Sequence, residues 1–123
     1  MSEEKERAAK AEAAIAKIKA EAEEAEKKVA DYAKSLGIVF NAPEVVTQRI
    51  IEQLMRTIRK HGGTEADITN YERNGAQARA ACELGWIDGL KVSDVDTTHP
   101  RVVTWIAQQT VDIMVAAWEL PGE

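Results

Sequence analysis

The sequence predicts an all-α fold: one long N-terminal helix with a heptad pattern, followed by a compact three-helix domain. Three observations predict it. Residues 2–36 are built mainly from Ala, Glu and Lys, which are strong helix formers, and they hold no Gly, Pro or Trp. All seven Gly and all three Pro fall at or after Gly37 and punctuate the remainder of the chain. The three Trp (Trp86, Trp105 and Trp118) lie in the last third, where the core is expected.

In the first region Ala8, Ala11, Ile15, Ile18, Ala22, Ala25, Val29, Tyr32 and Leu36 recur alternately three and four residues apart. That is an a/d seam, the pattern that meets a partner helix in a left-handed supercoil. Its Ala layers bury little area, so the seam alone is expected to form only a weak dimer and to need the body of its own domain or a larger assembly. The composition divides the chain into a helical segment, 1–36, and a domain, 37–123. The Ala/Glu/Lys texture of the front helix is also that of an appended, designed helix.

Asn41-Ala42-Pro43-Glu44 combines an N-cap residue, an early Pro and an acid, and predicts a helix with Val46, Ile50, Leu54 and Ile58 on one face. Gly62-Gly63 stops it. Thr64 with Asp67 predicts a second helix start, with Ile68, Tyr71, Gly75, Ala78 and Cys82 at helical spacing and Gly85 at its end. Asn74-Gly75 marks a place to kink, split or admit a neighbour. Residues 86–98 read as irregular, with Trp86, Ile87 and Leu90 folding back on the core and Asp88-Gly89 as a turn. A strand at 90–92 is compatible with the residues but has no evident partner. Thr98 caps a last helix from Pro100, with Val103, Ile106, Ala107, Thr110, Met114 and Ala117 buried, and Leu120-Pro121-Gly122 ends it.

Composition excludes several function classes. The net charge of -5 weighs against nucleic acid and anionic membranes as main partners. A single cysteine, Cys82, rules out an intramolecular disulfide and a cysteine-based zinc framework. The charged N-terminus lacks a signal-peptide pattern, and no apolar run approaches bilayer length, so a soluble cytoplasmic protein is expected.

Three constellations could carry chemistry. Asp88, Asp94, Asp96 and His99 gather metal-ligand types, but their spacing fits neither a calcium loop nor a zinc motif, and turn and cap roles explain them more simply. Arg49, Gln53, Arg56 and Lys60 form a stripe, near Arg59 and His61, that suits an anion or nucleic acid or, more plainly, a solvated face. Cys82 lies on an apolar stripe, where a thiol behaves as a small hydrophobe. With no activated nucleophile or acid–base pair, no enzymatic activity, cofactor or resident metal is expected. Trp105 and Trp118 stand about 140° apart on a helical wheel, so either one of them, Trp118 in preference, faces a partner or the front helix, or both are buried because the last helix is covered on two sides.

The stretch Ala78-Arg79-Ala80-Ala81-Cys82-Glu83-Leu84-Gly85-Trp86-Ile87-Asp88-Gly89-Leu90, then His99-Pro100-Arg101-Val102-Val103-Thr104-Trp105-Ile106-Ala107 and the ending Trp118-Glu119-Leu120-Pro121-Gly122-Glu123, resembles small helical proteins of phage and prophage tail modules. Those are described as tail-assembly proteins or chaperones. The resemblance covers residues 42–123, is one of texture, and leaves the front helix outside. It implies a non-enzymatic partner in an assembly. The expected function is therefore protein–protein interaction or homo-oligomerisation through the heptad seam and the Trp-bearing last helix. The alternatives are a ligand or metal site at Asp94, Asp96 and His99, and anion or nucleic-acid binding at Arg49, Arg56 and Lys60.

Overall fold

A computed structural model describes residues 2–120. The chain is all-α: α1 (Ser2–Ser35), α2 (Gln48–Lys60), α3 (Asn70–Glu83) and α4 (Pro100–Ala116). A 3-10 helix (Val92–Thr97) precedes α4, and two short strands, β1 (Val39–Phe40) and β2 (Ile87–Asp88), pair antiparallel. The expected stop at Leu120-Pro121-Gly122 lies partly outside the described residues.

α1, α2 and α3 end in one motif. After α1, the Gly37 N–H donates to the Lys34 carbonyl at 2.9 Å and the Ile38 N–H to the Ala33 carbonyl at 3.0 Å. These two bonds satisfy carbonyls left over at the helix end, and they require a left-handed residue, Gly37 at φ 79°. Ile38 and Ala33, brought together by the turn, are both buried in the core. The same pair of bonds closes α2 around Gly62 and α3 around Gly85.

Helix starts depart from the sequence expectation. α2 starts not at Asn41 but after Thr47, whose hydroxyl accepts from the Ile50 N–H at 3.3 Å. Asn41 is taken by the ladder instead: its N–H reaches the Trp86 carbonyl at 2.6 Å and its amide donates to Asp88 at 2.9 Å. Val46 consequently precedes the helix. α3 starts after Thr69, not Thr64, because Thr69 and Glu72 cap each other reciprocally. Thr69→Ala is therefore expected to cost about 1 kcal/mol in chemical denaturation, and Thr64→Ala close to nothing. α4 starts after His99, not Thr98, because imidazole Nδ1 accepts from the Arg101 N–H at 3.1 Å.

α3 is the central helix, packed against α2, α4 and the 3-10 helix. Its fully buried Ala78, Ala80 and Ala81, with buried Ala76, let these neighbours approach closely. The helix runs through Gly75 unbroken, and what a Cβ there would meet first is the Arg79 guanidinium of the same helix, at 3.1 Å. One core cluster joins Ala33 of α1 and Ile38 to Ala78, Ala81, Ile87, Val95, Val102, Val103 and Ile106. A second joins Leu54 and Ile58 of α2 to Ala80 and Ile113, with Phe40 and Trp86 shared between the two. On α4, Val102 and Ile113 are buried, while Met114 is half-buried against the second cluster, which Ile113 shares with Leu54 and Ile58, and Ala117 is exposed. The strand lies at 87–88 rather than 90–92, and its partner is the segment leaving α1.

Candidate interaction surface

α1 is about 50 Å long at 1.5 Å per residue, and only its last turns touch the rest of the chain. Residues 2–24 are exposed throughout, and Ile15 and Ile18 of the seam are 65% and 66% exposed. Lower on the same seam Ala25 and Val29 are half-buried against α4, whereas Tyr32 and Leu36 stay largely exposed. Ala8, Ala11 and Ala22 are exposed with the two Ile. One stripe is thus bare along its first half and partly seated along its second.

Where the stripe reaches α4 it opens into a groove of about 370 Å³, walled by Ala25, Val29, Tyr71, Pro100, Trp105 and Gln108. Tyr71, expected on a buried face, is 74% exposed and forms the rim, because the buried face of α3 is carried by its Ala and Gly residues. Trp105 is half-buried in this wall, so it is the Trp that faces α1. Trp118, on the opposite side, is 90% exposed. It borders a second groove of about 410 Å³ between α2 and the end of α4, lined also by Val46, Ile51, Met55 and Met114. Met114 was expected in the core, and Met55 had no expected role. Flexible thioether side chains at a groove accommodate varied apolar shapes. The position of Met55, an apolar residue off the expected core face of α2, was the signal that could have found it.

The polar constellations are engaged locally. The Asp94 carboxylate accepts from the Lys91 N–H at 3.0 Å, and its carbonyl accepts from the Thr97 and Thr98 hydroxyls at 3.1 and 2.7 Å. Asp96 pairs with Arg79, and His99 caps α4. Among the described residues no group of three or more His, Cys, Asp or Glu is placed to hold a metal ion. On the basic stripe Arg49, Gln53 and Arg56 are exposed, but Lys60 donates to Glu83 at 2.8 Å. That ammonium holds the Glu83 carboxyl below its usual range, and His61, 3.3 Å from the same carboxylate oxygen, adds to the effect.

Burial, reinforced by the Asp94 charge, pushes the Cys82 thiol up to about 11. The thiolate is the nucleophile, so this cysteine is poorly suited to covalent chemistry. Its alkylation at pH 8 is expected to run roughly a hundredfold slower in the folded protein than in urea, read by mass spectrometry.

Among the described residues no helix is long and apolar enough to cross a membrane. Comparison with known protein families, with curated proteins and with solved structures returns no match.

Proposed function

We propose that the chain is a non-enzymatic assembly protein, of the kind found in phage tail modules, that binds partners through the free half of the α1 seam and the Trp118 end of α4. The observation that carries this reading is the exposure of Ile15 and Ile18 on a stripe whose continuation is already used for packing. An isoleucine left in water forgoes about 1.5–3 kcal/mol of burial, and two on one face of a projecting helix make a contact surface. Trp118 beside Met55 and Met114 adds a second apolar surface of the composition that protein contacts favour.

A cation site at Asp94, Asp96 and His99 has less support, because each of those side chains already serves a turn, an ion pair or a cap. Anion binding at Arg49, Arg56 and Lys60 has less support too, since Lys60 is neutralised by Glu83.

The test compares the wild type with Ile15→Gln/Ile18→Gln and with Trp118→Ala. Light scattering reads self-association, and capture on the immobilised chain reads binding of other proteins. Association that weakens in these variants supports the reading. Association indifferent to all three substitutions, or none of either kind, contradicts it.

A further inference from the structure

Two patterns on the free half of α1 have the same symmetry. The seam there reads Ala8, Ala11, Ile15, Ile18, Ala22, Ala25: small, small, large, large, small, small. All are exposed but Ala25, which is half-buried where the packing begins. The pattern is the same read backwards, about a centre between Ile15 and Ile18. One flank of that seam carries Lys5, Glu12, Lys19 and Glu26 at seven-residue spacing, so its charge alternates plus, minus, plus, minus. Reversed, that flank reads minus, plus, minus, plus, which is its own complement.

From this we infer that the partner of the free seam is a second copy of this chain, antiparallel, with Ile15 of each copy against Ile18 of the other. The inference rests on the assembly reading and names its partner. In this register Ala8 meets Ala25 and Ala11 meets Ala22 across the pair. Antiparallel helices place equivalent flanks against each other. Lys5 then faces Glu26 of the second copy and Glu12 faces Lys19, each contact occurring twice by the two-fold symmetry. On the other flank Ala14 faces Glu21 and Arg7 faces Lys28. Lys28 lies 3.9 Å from Glu24 of its own helix, which offsets that end repulsion.

Other arrangements are poorer. Sliding one helix by a heptad in either direction sets Glu12 against Glu12 and Lys5 against Lys19, or Lys19 against Lys19 and Glu12 against Glu26. A parallel pair joins Arg7 to Glu12, but it sets Glu21 against Glu26 and crowds both globular bodies at one end. The antiparallel pair sends the bodies to opposite ends. It also carries each N-terminal turn toward the groove beside Ala25 and Val29 of the other copy, continuous with the seam. Two Ile layers flanked by Ala layers make a small interface, so dissociation in the range of roughly 10–100 µM is expected.

The experiment is sedimentation of the full chain from about 5 µM to 1 mM, with the charge variants E12K and K19E. Both positions are exposed on a projecting helix, and circular dichroism checks that helicity is retained. Each single variant turns two attractive contacts into two repulsive ones and is expected to weaken the dimer roughly tenfold. An equimolar mixture of E12K and K19E restores both attractions, so the mixed dimer should regain the wild-type affinity. K19E is diagnostic, because in a parallel pair Lys19 faces only Ala14. A chain monomeric to 1 mM, or a dimer unmoved by K19E and not rescued in the mixture, overturns the inference. In that event loss of capture in Ile15→Gln/Ile18→Gln shows that a different protein uses the seam, and the assembly reading stands without it.

Discussion

Replacing Gly89 with alanine is expected to destabilise the protein by roughly 3–5 kcal/mol, a fall in Tm on the order of 10–20 °C. Gly89 follows β2 at φ 82°, in the left-handed region. An added Cβ would overlap the Gly37 carbonyl oxygen and stand 2.8 Å from its carbon. Both neighbours are backbone, and Gly37 is itself pinned by the turn that closes α1. The strain has no flexible side chain to relieve it, so the ladder joining β1 to β2 must open. Gly37→Ala is the control: its φ is similar, at 79°, but nothing lies within 4 Å of the new Cβ. That variant is expected to lose only about 1 kcal/mol, the ordinary cost of a left-handed alanine. Equal losses would show that backbone conformation, rather than the approach of the two turns, is what Gly89 supplies.

Ile106→Ala is the second large effect, expected at about 3–4 kcal/mol by thermal and chemical denaturation. Ile106 is fully buried at the centre of the cluster that α1, α3, α4 and the 3-10 helix build together. Ala78 and Ala81, which face that cluster from α3, cannot expand to fill the cavity, because alanine has no side-chain freedom to redistribute. A domain of this size has a total stability of only about 5–15 kcal/mol, so the loss is a large fraction of it. Ile15 and Ile18 provide the contrast. They are the same residue type at helix positions but lie in solvent, and Ile15→Ala or Ile18→Ala should leave the stability of the monomer within about 0.5 kcal/mol.

Much of the fold was legible because helix signals are local. The Ala/Glu/Lys period of α1, the stop at Gly62 and the glycines at 37 and 85 each depend on a few adjacent residues. The starts of α2, α3 and α4 were misplaced because several Thr, Asn and Asp residues near each boundary could cap it. Tertiary contacts chose among them: Asn41 went to Asp88, which left Thr47 to open α2. The β1–β2 ladder was not legible, since two-residue strands carry no period and their partners lie 47 and 49 residues apart in sequence. Of the candidate surface, the seam was visible in full, but not where along it the packing begins. That point is set by where α4 meets α1, a long-range fact. Trp118 emerged as the exposed Trp because the wheel separates it from Trp105, and Trp105 is the one that faces α1.

The central claim is that the first half of the α1 seam is a contact surface rather than part of the folded body. The most direct measurement follows Ile15→Gln/Ile18→Gln by thermal unfolding and by sedimentation in the same buffer. The expected result is a body that melts as the wild type does when both are dilute and monomeric, together with loss of association. Melting lowered as far as in Ile106→Ala, or association left at the wild-type level, would contradict the claim.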